Sequence, residues 1–366
     1  MKIAFLHHSF IIGSGIDSLI YQYAKRMSLE HHIEIFTFRS YYKLPIDPYK
    51  INIIDIPFGK TRIGSGVLAP VFIPWRKIRR ELEQFDVVIA QLYPANLIPI
   101  LPKKLRTKVI IIEWGIPEGV WLTWQERLYT RLSKQASRLA CRRADKVLVS
   151  SKFMQDYVKD NFNVDAKCLC IDGLDFELLD KNKYKASDTN NIVYVGRISP
   201  HKNIHTLLSA FKTVQNTIPE ASLTIIGSHT FPEYSKKLKQ LASKLNIKVN
   251  WTGAVSWKEL PQYYADCSVY CSPSLWEGFM RCEAFAFEKP MVVFNNTANP
   301  ETVHNNINGI VVNYNNSTAL AEALIRLLLN KEENQAMGQA GYRWARENLD
   351  FNNITKELLN ELGKTD

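Results

Sequence analysis

One segment of the chain carries two cations placed for anion binding. Val195–Asn203 places a Gly and then Arg197 directly after an apolar run, and Lys202 follows just before a helical pattern. Ligands of open α/β sheets bind where parallel strands end. Arg197 could hold a diphosphate as a planar fork and Lys202 as a point charge. The alternative is that both cations are solvated loop residues; the placement favours phosphate binding.

Two carboxylates follow another apolar run. Glu277 precedes Gly278, whose backbone a ligand can approach closely, and Glu283 falls in the helical pattern that comes next. Carboxylate oxygens accept hydrogen bonds from sugar or ribose hydroxyls. For Glu283 alone, the alternative is a helix-dipole partner worth less than about 1 kcal/mol.

A third segment, Gly13-Ser14-Gly15, precedes the first helical pattern. Glycines before a helix let a phosphate approach the backbone N–H groups, although a tight turn serving only the fold explains them equally well. A dinucleotide fingerprint is disfavoured, because Ser18 stands at its third glycine and the second strand ends without an acidic residue.

The elements that must position these residues form two similar series. Apolar runs of strand length alternate with amphipathic helical stretches, which is typical of parallel sheets buried on both faces. We therefore predict an α/β protein of two Rossmann-like, doubly wound domains facing across a cleft, with a helical C-terminus. The predicted divisions are an N-terminal domain over 1–177, a linker over 178–190, a C-terminal domain over 191–345, and a final helix over 346–366 that packs back on the N-terminal domain.

Composition excludes several classes of protein. The chain has 366 residues, 46% hydrophobic and 22% charged, which fits a globular protein of about two domains. Six cysteines are too few for a disulfide framework, and none forms a paired C-x-x-C zinc motif. The first residues enter a strand at once, which predicts a cytoplasmic location.

The net charge of +10 is unevenly placed. Residues 1–170 hold 26 Lys and Arg against 15 Asp and Glu, whereas the remaining residues are close to neutral. A basic and a neutral half suggest two ligands of different character. Nucleic acid is possible on charge alone, but no nucleic-acid module is recognisable, and we predict none.

At the level of whole motifs, the chain resembles family 4 glycosyltransferases of the GT-B fold. The resemblance rests on VGRISPHKNI, TIIGS, WTGAVSWKELPQYYADCSVYCSPSLWEGF and EAFAFEKPMVV in the second half. In the first half, GSGIDSLIYQYAKRM, ADKVLVSS and IDGLDFELL are similar to the same family. The resemblance covers nearly the whole chain and is more specific in its second half.

The resemblance implies a role for each motif residue. Arg197 and Lys202 would neutralise the donor diphosphate, Glu277 would contact the donor sugar, and Glu283 would hold the ribose hydroxyls. Further donor contacts would come from Gly15, Gly196, Gly253, Val255, Gly278 and Phe279. The family retains anomeric configuration and needs no metal for its chemistry. The resemblance therefore implies no cofactor and no metal, and the expected co-substrate is a UDP- or GDP-sugar.

Three departures from the family pattern stand out. Five residues separate Glu277 from Glu283 where the family has seven, a difference that would rotate a helical side chain by about 200° unless the loop absorbs it. Glu288 replaces the usual glycine at a helix end, which predicts a different local turn. The fifth strand ends in Glu113-Trp114, without the usual histidine.

Two residues of the N-terminal domain are predicted to lie on the acceptor side of the cleft. They are His8 and Trp114.

A basic helical stripe adds a second surface to the N-terminal half. Its five cations recur at helical spacing, with leucines alongside: Arg127, Arg131, Lys134, Arg138 and Arg142. Such a stripe suits an anionic membrane surface. The alternative is a solvated helix whose leucines face the core.

Together these features predict a retaining glycosyltransferase that acts on a glycan or lipid-linked acceptor. Its expected location is the cytoplasm, with peripheral contact at the inner membrane face. The alternative is a non-catalytic sugar-nucleotide or polyanion-binding protein on the same scaffold; a sugar-nucleotide epimerase is a weaker third reading.

Overall fold

The computed structural model divides the chain into two units. The first contains the described residues up to Gly173 together with Phe351–Gly363, and the second contains Leu174–Asp350. The structure describes residues 1–7, 15–38, 50–53, 73–101, 105–115, 124–187, 189–279 and 282–363.

The sheet of the first unit is parallel throughout, in the order β3-β2-β1-β4-β5-β6-β7. Its strands are β1 (Lys2–His7), β2 (His32–Thr37), β3 (Lys50–Ile53), β4 (Val87–Gln91), β5 (Lys108–Ile112), β6 (Lys146–Val149) and β7 (Lys167–Cys168). Four of its helices precede the second unit in sequence: α1 (Gly15–Met27), α2 (Trp75–Leu82), α3 (Trp124–Arg143) and α4 (Lys152–Phe162). Every residue of β4 is buried, as a continuous apolar run predicts for a strand covered on both faces.

The second unit repeats the scheme with six parallel strands, in the order β10-β9-β8-β11-β12-β13. The strands are β8 (Asn191–Val195), β9 (Ser222–Ile226), β10 (Val249–Gly253), β11 (Val269–Ser272), β12 (Met291–Phe294) and β13 (Gly309–Val312). The helices are α5 (Ile204–Thr217), α6 (Pro232–Lys244), α7 (Leu260–Ala265), α8 (Glu283–Ala286), α9 (Asn299–Thr302), α10 (Ser317–Leu329) and α11 (Lys331–Asn348). Central β8 lies between β9 and β11, so the strand order reverses beside it, at the kind of switch point where such sheets bind ligands.

The C-terminal helix α12 (Phe351–Gly363) belongs to the first unit. Phe351, Ile354 and Leu358 are buried in the core formed by β1 and α1. The Phe351 ring meets the Tyr23 ring edge to face, with 5.4 Å between the centroids. The apolar face of α12 therefore completes a core that the earlier residues leave open on one side.

The predicted linker over 178–190 packs as part of the second unit. Lys181 pairs with Glu288 and lies 5.1 Å above the Tyr342 ring. Tyr184 meets the Phe287 ring at 5.8 Å. The chain passes between the units at 173–174 and again at 350–351, so the first boundary falls four residues before the predicted one.

The helical C-terminal part of the chain consists of three helices, α10, α11 and α12, and the last of them begins at Phe351 rather than at the predicted 346. Asn330 separates the first two, and its side chain accepts a hydrogen bond from the Glu333 backbone N–H at 3.0 Å. An Asn in this N-cap position satisfies an end N–H group and so begins a new helix. Within the part of the chain that the structure describes, no helix combines the length and apolarity needed to cross a bilayer.

Candidate functional site

The loops that follow β8, β11 and β12 are joined by hydrogen bonds. The Leu275 N–H donates to the His201 carbonyl at 2.8 Å, and the Asn296 side-chain amide donates to the Leu275 carbonyl at 2.9 Å. The Glu277 N–H donates to Thr297 Oγ1 at 3.1 Å. Because parallel strands end at the same edge, three segments far apart in sequence form one continuous surface there.

Lys202 and Glu277 meet on this surface. Lys202 Nζ lies 2.5 Å from Glu277 Oε1, and the two side chains are 17% and 15% exposed. Arg197, an exposed residue of the same loop as Lys202, adds a second cation. Two cations and one carboxylate leave a net positive charge, which suits an anionic ligand that also carries hydroxyl groups.

A glycine ends or follows each of the three adjacent strands β8, β9 and β10. Gly196 donates its N–H to the Ile226 carbonyl, and Gly227 donates its N–H to the Gly253 carbonyl, both at 2.9 Å. A Cβ atom on Gly227 would lie 1.8 Å from the Gly196 carbonyl oxygen, and Gly253 has a φ of 73°. These contacts bring backbone rather than side chains to the edge of the sheet. The sequence analysis assigned no role to Gly227, although the TIIGS motif contains it directly after a buried strand.

His201 lies between the two cations in sequence but adds no charge. It is 7% exposed, and burial together with the nearby Lys202 and Arg197 lowers its pKa to about 2. Its Nδ1 lies 3.3 Å from Ser199 Oγ. Neutral His201 therefore supports the loop, while Lys202 and Arg197 supply the positive charge.

Glu283 is the first residue of α8 and is 8% exposed. Burial raises the pKa of the Tyr270 phenol, and the carboxylates Glu283 and Glu277 both add to that effect. The shortened spacing falls before α8 begins, so it need not rotate Glu283 on the helix. Gly278 and Phe279 follow Glu277 as half-buried residues.

The turn at Glu288 corrects one prediction. A different local turn was expected there, because the left-handed backbone conformation at a helix end favours glycine over glutamate. Instead, Glu288 itself adopts the left-handed conformation, with a φ of 55°. Its side chain pairs with Lys181, so an ion pair accompanies the backbone strain.

The strand ends of the first unit gather a separate polar group. His7 Nε2 lies 2.7 Å from Asp17 Oδ1, with both side chains buried. The Trp114 indole N–H donates to Gln91 Oε1 at 3.0 Å, and His7 is aligned with Gln91 in the sheet. Half-buried Trp114 therefore has a fixed ring orientation at this edge. Of the other predicted residues of this unit, Gly15 is the first residue of α1, and His8 lies outside the described residues.

Glu113 is buried directly before Trp114. It is 5% exposed, and its Oε1 accepts a hydrogen bond from the Gly115 N–H at 3.0 Å. Burial raises the pKa of this carboxyl to about 7. Glu113 is therefore a buried anchor of the turn that carries Trp114.

The titration of Glu113 predicts a pH dependence of stability. Its folded pKa lies above the ordinary value of 4.5, so the folded state holds a proton that the unfolded chain has released. The free energy of unfolding should fall by about 3 kcal/mol as the pH rises from about 4.5 to about 7, and stay lower above it. Urea unfolding from pH 4.5 to 8 measures this fall.

Glu113→Gln should remove that fall, because the amide keeps the acceptor for the Gly115 N–H without titrating. Glu30→Gln, at an exposed carboxyl of the same unit, serves as the control and should keep it. Parallel pH profiles for the wild type and Glu113→Gln would contradict the assignment.

Among the described residues, no group of three or more His, Cys, Asp or Glu side chains is arranged to hold a metal ion. All six cysteines are free thiols, and Cys141, Cys267, Cys271 and Cys282 are buried. Burial raises the pKa of the Cys267 thiol to about 12, so it packs as a neutral side chain.

Two features define the class of this protein: two doubly wound parallel sheets, one in each unit, and a cationic site at the strand ends of the second sheet. These are the features of a glycosyltransferase of the GT-B fold. Residues 13–171 match the family model Glycosyltransferase Family 4, and residues 175–344 match Glycosyl transferases group 1. Together the two models account for most of the chain, which belongs to glycosyltransferase family 4.

Several known proteins are similar. A "GDP-mannose-dependent alpha-(1-6)-phosphatidylinositol monomannoside mannosyltransferase" of Mycobacterium tuberculosis is 27% identical over 193 residues, 50% of this chain and 49% of that protein. Spore coat protein SA of Bacillus subtilis is 27% identical over 177 residues, 46% of this chain and 47% of that protein. The chain thus spans about half the length of the curated relatives it matches.

Two solved structures share the fold across the full length. Anabaena HepE in complex with UDP and glucose has a TM-score of 0.79 at 19% identity, and the match covers 100% of both chains. Sucrose-phosphate synthase from Thermosynechococcus elongatus has a TM-score of 0.83 at 16% identity, covering 99% of this chain and 98% of that one. At these identities the likeness shows the GT-B fold alone.

Proposed function

We propose that the chain transfers a sugar from a nucleotide-sugar donor to a glycan or lipid-linked acceptor, with retention of anomeric configuration. The observation that carries the proposal is the contact of Lys202 with Glu277 beside Arg197, at the ends of β8 and β11. A nucleotide-sugar presents a diphosphate and sugar hydroxyls side by side, which matches two cations next to a carboxylate. The complex of HepE with UDP and glucose, and the GDP-mannose dependence in the mycobacterial relative's name, support a UDP- or GDP-sugar.

In this reaction the bond between the sugar C1 and the diphosphate oxygen breaks, and negative charge grows on the leaving nucleotide. Lys202 and Arg197 stabilise that charge, and cations fixed in advance do so without reorganising at the moment of reaction. The acceptor hydroxyl forms its new bond to C1 on the face that the nucleotide leaves, and its proton passes to the diphosphate. Glu277 contacts the sugar and orients Lys202. No metal is required for these steps.

Nucleotide release tests the proposal directly. The protein is incubated with UDP-, GDP- and ADP-sugars, and free nucleotide is measured with and without candidate acceptors. At least one donor should be consumed, and Arg197→Ala combined with Lys202→Ala should abolish its consumption. Absence of release with every donor, or release unchanged by the double substitution, would contradict the proposal.

A non-catalytic sugar-nucleotide or polyanion-binding protein is the second candidate. It is favoured by Glu113 and Trp114, which stand where the family usually carries a histidine near the donor sugar. Nucleotide-sugar binding by calorimetry, without turnover for any acceptor, would favour this candidate over the enzyme.

We also propose that helix α3 contacts an anionic membrane surface. The exposure of three leucines supports this proposal: Leu128, Leu132 and Leu139 are 43%, 40% and 50% exposed, so they do not face the core. The core side of α3 consists of small residues: Thr130, Ser133, Ala136, Ser137 and Ala140. Trp124, at the start of the helix, is 70% exposed. Apolar and basic side chains on one exposed face are typical of helices that lie in the bilayer interface.

The cations of the stripe are not equivalent. Lys134 donates to Asn161 Oδ1 at 2.9 Å, and Arg142 donates to the Phe162 carbonyl at 2.7 Å, so both are engaged with α4. Arg127 and Arg131 are exposed next to the leucines. These two arginines are therefore the best candidates for lipid contact, at the cytoplasmic face of the membrane.

Charge reversal tests the membrane surface. Arg127→Glu combined with Arg131→Glu should lower co-sedimentation with anionic liposomes at least about tenfold at low salt, since each cation near the surface contributes about 1 kcal/mol. Binding of the wild type should weaken as salt rises. Lys236→Glu combined with Lys239→Glu, on exposed positions of α6, is the matched control and should bind as the wild type does. Salt-independent binding, or equal losses in both double variants, would count against this surface.

A further inference from the structure

Two buried tyrosine hydroxyls lie beneath the loop that carries Arg197. Tyr194, in β8, is 1% exposed and donates its hydroxyl proton to the Arg197 carbonyl at 3.1 Å. Tyr270, in β11, is 4% exposed and donates to the Val195 carbonyl at 3.2 Å. The two tyrosines hold the carbonyl groups on either side of Gly196.

The neighbouring strand holds the same segment from its other side. Gly196 donates its N–H to the Ile226 carbonyl at 2.9 Å, and Ile198 donates its N–H to the Ser228 carbonyl at 3.0 Å. A Cβ atom on Gly196 would lie 2.7 Å from the Tyr194 hydroxyl oxygen, so the backbone sits directly on that hydroxyl. Four hydrogen bonds thus fix two peptide planes, Val195–Gly196 and Arg197–Ile198, which lie on either side of the plane between Gly196 and Arg197.

Both phenols keep their protons, as donors must. Burial raises the pKa of Tyr194 well above its usual value, and the Glu277 carboxylate raises it further. Burial does the same for Tyr270.

We propose that Tyr194 and Tyr270 are positioning residues that act through Arg197. By fixing the carbonyls of Val195 and Arg197, the two hydroxyls set the direction in which the exposed Arg197 side chain leaves the backbone. An Arg held in one direction loses less conformational freedom when it binds a diphosphate, and so binds it more strongly. This inference rests on the proposed function and concerns the diphosphate of the same donor.

Removing each hydroxyl alone tests the role. Tyr194→Phe and Tyr270→Phe should each lower kcat/KM for the donor about 3- to 10-fold, the range expected for a net hydrogen bond of about 1 kcal/mol. The affinity for UDP or GDP, measured by calorimetry, should fall by a similar factor, while the KM for the acceptor stays unchanged.

The chain offers a matched control in its first unit. Tyr23 is also buried, and its hydroxyl donates to the Ile171 carbonyl at 2.8 Å. Tyr23→Phe removes the same kind of hydrogen bond and should lower thermal stability comparably. It should leave donor affinity and kcat/KM at the wild-type values.

A double-mutant cycle separates positioning from general support. If the tyrosines act through Arg197, Tyr194→Phe should have no further effect on nucleotide affinity in an Arg197→Ala background. An equal loss in both backgrounds would overturn the proposal, as would Phe variants indistinguishable from Tyr23→Phe. These outcomes leave the proposed function intact. If the wild type binds nucleotide but shows no turnover, the proposed transferase activity is contradicted, while the positioning role can still be tested by nucleotide affinity. If the wild type neither binds nucleotide nor shows turnover, the proposed function and the positioning role are both overturned.

Discussion

Lys202→Met should lower kcat/KM for the nucleotide-sugar by about 10²- to 10³-fold, the usual loss for one fixed group that stabilises a developing negative charge. Lys202 is held 2.5 Å from Glu277, so its ammonium group is in place before the donor arrives. Without it, the leaving diphosphate loses a cation and Glu277 loses its ion-pair partner. Steady-state nucleotide release at varied donor concentration measures the effect, and most of it should be in kcat.

Lys181→Met is the control for the loss of an ion pair as such. Lys181 pairs with Glu288 in the same unit, away from the strand-end loops, and the side chains are 33% and 30% exposed. This variant should keep its activity within about twofold, because a partly exposed pair contributes only about 0–1 kcal/mol. Similar activity losses in the Lys202 and Lys181 variants would contradict the assignment of Lys202 to the site.

Gly227→Ala should damage both stability and activity. The new Cβ atom would lie 1.8 Å from the Gly196 carbonyl oxygen and 2.7 Å from its carbon, so the loops after β8 and β9 would have to separate. Both contacts are with backbone, which cannot move aside as a side chain can. We expect a loss of about 3 kcal/mol or more, or about 6–12 °C in the Tm of the second unit. Separation of these loops also displaces Arg197, so donor turnover should fall with stability.

Gly253→Ala distinguishes a steric clash from backbone strain. Gly253 has a φ of 73°, but a Cβ atom there would meet nothing within 4 Å. Its substitution should therefore cost only the left-handed conformation, about 1–2 kcal/mol. Thermal unfolding of both variants gives the comparison. A Gly253→Ala variant as unstable as Gly227→Ala would show that strain, not the contact with Gly196, limits this edge of the sheet.

Much of the fold follows from local sequence. Apolar runs such as Val87–Gln91 mark buried parallel strands, and the family motifs identify the GT-B fold, as the structure and the matching family models confirm. The strand β7, Lys167–Cys168, is an exception, because two residues give no periodic signal.

The candidate site was only partly predictable, for a different reason. Arg197 and Lys202 stand out because their types and their place after a strand are local features. The hydrogen bond of Tyr270 to the Val195 carbonyl spans 75 positions and depends on how β8 and β11 align. The need for glycine at 227 likewise arises from a neighbouring strand. Such contacts belong to the assembled sheet and leave no pattern in the segment itself.

The position of helix α12 also sets an order of events during synthesis. Phe351, Ile354 and Leu358 fill the core of the first unit, yet they leave the ribosome after every residue of the second. Domains usually fold as units in the order in which they are made. Here the first-made unit cannot close its core until the second has been translated, so we expect the second unit to reach its final structure first. Until α12 arrives, the nascent chain exposes an apolar surface around Tyr23, which a chaperone could cover.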